Sequence, residues 1–228
     1  MVDSATVEAE GASRVLAPRS AAKRAAVLDA AQRLFASVGF DKTGMRDLAS
    51  EARVSTATIY AYFPNKQRLL EELAAARLQP ALDLSERFEA IADGSEPADT
   101  AFERFVDTIR SLNRHFAEDP LLRRILAWDR HVSDRRILAR AREVERRVTE
   151  RSAAALERLA ADGRLGSSDP TALAHLISLS LQGWVALESR SEGHRDGRPG
   201  APLPESRLTD TLIELLRACA HAGEESRD

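Results

Sequence analysis

Met45-Arg46-Asp47-Leu48-Ala49-Ser50-Glu51-Ala52-Arg53-Val54-Ser55-Thr56-Ala57-Thr58-Ile59-Tyr60-Ala61-Tyr62 is the stretch that decides the fold. Met45, Leu48 and Ala49 recur at helical spacing, Ala52-Arg53-Val54 breaks the pattern, and Ser55 is a good N-cap for a second short helix over residues 56–62. That helix stops before Phe63-Pro64, because the residue preceding proline is pushed out of helical geometry. Two short helices joined by a tight turn predict helix-turn-helix geometry. In such a unit the second helix enters the major groove of DNA and the first lies across the backbone. The bland alternative is a packing helix of an adaptor. Thr56, Thr58, Tyr60 and Tyr62 weigh against it: all can hydrogen-bond, and Tyr60 and Tyr62 are the chain's only tyrosines. Hydroxyls suit phosphate oxygens and base edges, and Thr methyls or Ala57 suit a thymine methyl.

Upstream, Ala26, Val27, Ala30, Ala31, Leu34, Phe35 and Val38 step by threes and fours, which predicts a supporting amphipathic helix from Ser20 closed by Gly39. Residues 1–18 are small, polar and aperiodic and read as a disordered arm, with Arg14 and Arg19 near its end. Downstream, Asn65 caps a fourth helix over about residues 65–91. Phe102, Phe105, Ile109, Leu112 and Phe116 form the stripe of a fifth, Asp119-Pro120 opens a sixth, and Ser133 caps a long seventh that ends near Gly163. Asp169-Pro170 starts an uncharged helix to about Leu187, and Leu208, Leu212, Leu215, Leu216 and Cys219 mark a last one. No stretch alternates with period two. The expectation is an all-α chain of about nine helices: a helix-turn-helix domain at residues 19–66 and a larger helical domain at 67–228, linked by helix four.

The 228 residues, 43% apolar and 30% charged, are those of an ordinary globular chain. A single cysteine, Cys219, closes no internal disulfide and builds no cysteine zinc site, which suits a reducing interior and makes the cytoplasm the expected location. The first twelve residues carry Asp3, Glu8 and Glu10, so a secretory signal is not expected there. The uncharged run Pro170 to Leu187 holds His175, Ser178, Ser180, Gln182 and Gly183 and reads as a buried helix rather than a membrane span, so no membrane partner is expected. Net charge is −3, yet residues 13–80 hold eleven basic and six acidic groups, including all three lysines, Lys23, Lys42 and Lys66. A basic N-terminal third on an acidic remainder predicts that a small domain meets an anionic partner.

Ala30-Ala31-Gln32-Arg33-Leu34-Phe35, Gly39-Phe40, Thr43, Met45 to Ala49, Ala52, Val54-Ser55, Thr58-Ile59-Tyr60, Tyr62-Phe63, Lys66 and Leu69-Leu70 fall in the order and spacing of one family. Over about residues 20–70 the chain resembles the TetR family of transcriptional regulators. The resemblance implies that Thr56, Ala57 and Thr58 face base edges and that Tyr60 lies at the groove wall. It implies that Arg46 pairs with a guanine or a phosphate and that Tyr62 and Lys66 anchor phosphates, with Thr43 and Ser55 completing the DNA-facing set. Arg14, Arg19, Lys23 and Arg24 are weaker candidates for phosphate contacts. Three departures stand out: Arg53 replaces a glycine common in the turn, Ala57 and Ala61 replace a frequent glycine and a larger residue, and Gly44 lacks a frequent hydroxyl.

One seven-residue helix reads too few bases for useful selectivity, so two copies about 34 to 36 Å apart are the physical solution, and a homodimer on a pseudo-palindromic double-stranded operator is expected. Leu176, Leu179 and Gly183 on the uncharged helix, with Leu208, Leu212, Leu215 and Leu216 on the last, are the predicted interface. The resemblance also implies a small-molecule effector, largely apolar, held among Phe88, Phe105, Thr108, Leu112, Phe116, Trp128, His131 and Trp184, with Asn113, His115 and His175 as further polar candidates. Ligand binding is expected to move helix four and alter the separation of the two recognition helices. His131 near Asp129 and Asp134 lacks a second ligand set, so no metal and no cofactor are assigned. No phosphate-binding glycine loop, histidine pair or nucleophile turn is present, and an enzyme is not expected. The expected function is a ligand-responsive repressor; the alternative is a helical small-molecule-binding or adaptor protein that no longer binds DNA specifically.

Overall fold

The computed structural model describes residues 18–127, 135–167, 169–191 and 204–225. Among them lie nine helices and no strand: α1 (Pro18–Ser37), α2 (Met45–Glu51), α3 (Thr56–Tyr62), α4 (Lys66–Ala92), α5 (Ala98–Glu118), α6 (Pro120–Ala127), α7 (Arg135–Ala161), α8 (Pro170–Ser191) and α9 (Glu205–Glu225). The all-α expectation holds. The arm expected at residues 1–18, apart from Pro18, and the positions Trp128, Asp129, His131, Ser133 and Asp134 lie outside the described residues. No helix among the described residues is long and apolar enough to cross a membrane.

The chain divides into two compact units, Met1–Lys66 and Gln67–Asp228. In the first, Val27, Ala30, Ala31 and Phe35 line one face of α1 at three- and four-residue steps and are fully buried with Leu48 of α2, Ile59 of α3 and Phe63. Helix α1 ends at Ser37 because Gly39 takes φ +95°, and the Gly39 N–H donates to the Leu34 carbonyl at 3.1 Å. The Phe40 ring then packs edge-on against Phe35 at 5.2 Å between centroids.

The second unit has its own core. Leu78, Ala81, Phe88 and Ile91 of α4 meet Phe105, Ile109 and Leu112 of α5, with Val144, Leu156 and Leu159 of α7 and Ile177 of α8. The aromatic pair Phe88 and Phe105 lies 5.0 Å apart between centroids. Pro80 sits inside α4, where a proline removes one helical hydrogen bond and crowds the preceding turn. One residue beyond the carbonyl that loses its donor, the Arg77 carbonyl bonds His115 Nε2 of α5 at 2.8 Å. Arg77 Nη1 also donates to Asp119 Oδ2 at 2.5 Å, with both side chains 17% exposed, and Asp119 Oδ1 caps α6 by accepting from the Leu122 N–H at 2.9 Å. Asp119 thus terminates α5, starts α6 and ties down α4. Further along, Arg151 of α7 donates to the Leu82 carbonyl at 3.0 Å and to Ser85 Oγ at 2.7 Å. On the solvent face of α7, Arg146 and Arg147 hold the Glu143 carboxyl down at about 2.

Helix α9 corrects one expectation. Leu216 is buried in the core, whereas Leu215 is 62% exposed and Leu208 is at the surface. On the helical circle Leu216 falls on the same side as buried Thr209 and Ile213, and these three make the inward stripe, while Leu208 and Leu215 lie seven residues apart on the outward edge. Leu212 lies between these faces, partly buried against the core. On α8 the inward residues are Ala174, Ile177, Trp184 and Val185, and Leu176, Leu179 and Gly183 face outward.

Candidate nucleic-acid interface

Helix α3 begins where Ser55 Oγ accepts from the Thr58 N–H at 3.1 Å, the N-cap bond that the sequence predicts. Helix α2 has no such side chain at Gly44; there Asp47 Oδ2 reaches back to accept from the Gly44 N–H at 2.8 Å, the reciprocal half of a capping box. The turn between them is a Schellman motif: the Arg53 N–H donates to Ser50 O at 3.1 Å and the Val54 N–H to Ala49 O at 3.0 Å. This geometry requires a left-handed residue, and Arg53 takes φ +54°, the one non-glycine at positive φ among the described residues. Gly163 fills the same position at the end of α7, with φ +64°. Arg53→Gly is therefore expected to stabilise the first unit by about 1 kcal/mol. Urea unfolding followed at the two tyrosines, both on α3, reads that unit; an unchanged or lowered midpoint contradicts the strain.

The structure sorts the predicted DNA-facing residues into two groups. Arg46, Ser55, Thr56, Ala57 and Tyr60 are exposed, Tyr60 by 55%. Arg46, Thr56 and Tyr60 make no side-chain hydrogen bond or ion pair among the described residues. Thr58 is half-buried, its hydroxyl 2.8 Å from Ser55 Oγ. The others are committed inward. Thr43 is 2% exposed, and its hydroxyl donates to the Gly39 carbonyl at 2.7 Å, so it closes the loop between α1 and α2 rather than facing DNA. Lys66 Nζ donates to the carbonyls of Phe40 at 2.9 Å and of Asp41 and Thr43 at 3.3 Å each, and stands 4.4 Å from the Phe40 ring centroid. An ammonium has three donors, and these carbonyls take all of them, so Lys66 staples the loop instead of waiting for a phosphate. The Tyr62 hydroxyl is likewise paired, 2.9 Å from Ser20 Oγ on α1. Arg24 lies over the Phe63 ring at 5.2 Å, and Lys23 is exposed. One residue outside the predicted set joins the outward face: Ala61, exposed beside Ala57. Its small apolar side chain hides it in the sequence, because nothing in a methyl group distinguishes a groove contact from filler.

In the second unit, Phe88, Phe105, Thr108 and Leu112 are enclosed in the core, and the Thr108 hydroxyl donates to Arg104 O at 2.8 Å. Phe116 packs at the core's edge beside His115, and Trp184 is 7% exposed with the Arg123 guanidinium 6.0 Å from its ring. Asn113 donates to Thr209 Oγ1 of α9 at 2.8 Å, and His175 Nδ1 bonds Thr171 O at 2.9 Å. The predicted positions Trp128 and His131 are outside the described residues.

A capped helix with an outward-facing side on a three-helix frame, followed in the chain by a larger helical unit, defines a helix-turn-helix fold. Residues 27–73 match the model of the bacterial regulatory proteins of the tetR family. The chain is 33% identical over 85 residues to the HTH-type nicotine-responsive transcriptional repressor HdnoR of Paenarthrobacter nicotinovorans, covering 37% of this chain and 42% of that protein. Its fold is that of a transcriptional regulator of the TetR/AcrR family from Thermobifida fusca, with TM-score 0.63, 22% identity, and 86% and 96% of the two chains covered. It is also that of the transcriptional regulator FadR from Bacillus subtilis, solved in complex with stearoyl-CoA, with TM-score 0.59, 20% identity, and 86% and 98% covered. Over residues 27–73, from within α1 through α2 and α3 to the start of α4, the chain is similar to the TetR family. Its sequence matches span less than half the length of the curated relatives.

Proposed function

We propose that this protein is a homodimeric transcriptional repressor that binds a pseudo-palindromic operator through α3 and is released by a small molecule held in its helical unit. One observation carries this reading: the outward face of α3, Thr56, Ala57, Tyr60 and Ala61, is exposed while every other polar side chain of the helix is spent on the frame. Two hydroxyl-bearing side chains and two small methyls on that face suit contact with phosphates and base edges. Exposed Arg46 on α2 adds a guanidinium that can fork onto a guanine or a phosphate.

The two-fold partner supplies the second recognition helix. Leu176 and Leu179 of α8, 62% and 59% exposed, and Leu208 and Leu215 of α9 form the apolar surface for it. A Cβ added at Gly183 would meet no atom within 4 Å, so a partner helix has room to approach there. For the effector, a regulator of this fold that was solved with stearoyl-CoA supports a largely apolar ligand. Phe116 and Trp184, at the margin of the core, are the side chains assigned to it; Phe88, Phe105, Thr108 and Leu112 hold the core itself. A ligand lowers operator affinity only through unequal affinity for the two states, and operator must then weaken ligand binding by the same factor.

The test is a mobility shift of the full-length protein on the region upstream of its own gene, repeated across salt. Affinity is expected to fall steeply with salt, as released counterions require. Binding that is absent, or flat between low and physiological salt, favours the adaptor alternative.

A further inference from the structure

The outward face of α3 has a chemistry of its own. At about 100° per residue, Thr56, Tyr60, Ala57 and Ala61 fall in that order within about 140° of the helical circle, and buried Ile59 lies on the far side. They form two parallel strips, each with i, i+4 spacing. Thr56 and Tyr60 make a hydroxyl strip, and Ala57 and Ala61 make a strip of bare methyl groups. None of the seven residues of α3 is Arg, Lys, Asp, Glu, Asn or Gln. The forks that read guanine and adenine, and the carboxylate that reads cytosine, are therefore missing from this helix. What a methyl strip complements in the major groove is the thymine 5-methyl group, the one apolar feature a base pair presents there.

We infer, on the operator-binding reading of α3, that Ala57 and Ala61 are specificity-determining residues that pack on thymine 5-methyl groups, so that each half-site carries two thymines beneath α3. The two alanines are four residues apart, about 6 Å along the helix, which spans about two base-pair steps. Thr56 and Tyr60 then bond phosphates or base edges along one flank. Arg46, exposed on α2, is the side chain left for any guanine at the margin of the half-site. Small side chains also let α3 lie deep in the groove, since nothing longer than a methyl holds that strip away from the bases.

The experiment uses the unaltered full-length protein. Its operator is first selected from random duplex DNA, and each thymine is then replaced in turn by deoxyuridine, which removes the 5-methyl group and leaves every hydrogen-bonding edge intact. At two thymines per half-site, affinity is expected to fall about fourfold per methyl removed; thymines outside the α3 footprint are expected to be silent. In Ala57→Gly and Ala61→Gly, the deoxyuridine penalty at the facing position is expected to disappear, the signature of a shared contact. Because glycine weakens so short a helix, the deoxyuridine series on the unaltered protein decides the outcome. A selected operator whose affinity is indifferent to deoxyuridine overturns the methyl contact and leaves the repressor reading standing. Failure to select any sequence overturns both.

Discussion

Changing Arg46 and Tyr60 together to alanine is expected to lower operator affinity by about a hundredfold or more while far-UV circular dichroism stays unchanged. Both side chains are exposed, Tyr60 by 55%, and neither makes a hydrogen bond or ion pair among the described residues, so their loss removes nothing from the frame. A good bidentate base contact is worth about 1–3 kcal/mol, and a two-fold dimer counts each loss twice. Binding that survives the double change within about threefold would place the DNA contact elsewhere. The same logic separates this pair from Lys66 and Thr43, whose polar groups are consumed by the carbonyls of Gly39, Phe40, Asp41 and Thr43. Loss of those two side chains acts on the loop between α1 and α2.

Asp119 is the other sensitive position. Asp119→Ala is expected to destabilise the helical unit by about 3 kcal/mol, because it deletes the α6 cap and strands the guanidinium of Arg77. Arg77 tolerates stranding poorly: its Nε is already buried without a hydrogen-bond partner, and its Nη1 holds the Asp119 carboxylate. Arg77→Met removes the charge together with its need for a partner and is expected to cost less than Asp119→Ala, and the double variant less than the sum. Asp119→Asn, which keeps an acceptor for the Leu122 N–H, isolates the ion pair from the cap. Thermal unfolding followed by tryptophan fluorescence reads this unit, since both tryptophans, at 128 and 184, fall within residues 67–228. A cost below about 1 kcal/mol for Asp119→Ala would mean that the clasp is idle.

Much of the frame is legible from residue types alone. Ser55 before a short amphipathic run, Phe63-Pro64 after it, and Gly39 behind α1 are local signals whose physics acts within a few residues, and α3 starts and stops where they require. Arg53 is legible too, as the residue standing where the turn demands a left-handed backbone. The roles of Lys66 and Thr43 are not. A lysine in a first turn reads as an anion contact until the chain folds and brings three carbonyls from residues 40–43 around its ammonium, a convergence no local pattern encodes. Leu216 shows a related limit. A row of leucines looks like a single face, and only the burial of Thr209 and Ile213 reveals that the inward stripe takes in Leu216 and passes by Leu215. The clasp of Arg77, His115 and Asp119 is half visible: Asp119-Pro120 announces a cap, but the guanidinium it also serves comes from a residue 42 positions earlier.

Paired recognition demands that two copies of α3 meet grooves on one side of a duplex, about 34 to 36 Å apart. The affinity of the full-length protein for its selected operator, measured after inserting five base pairs between the half-sites and again after inserting ten, tests that demand. Five base pairs turn the second half-site to the opposite side of the duplex and are expected to reduce binding to that of a single half-site. Ten restore the facing but lengthen the span by a full turn, and are expected to remain weak. Affinity unchanged by either insertion would contradict the paired recognition helices.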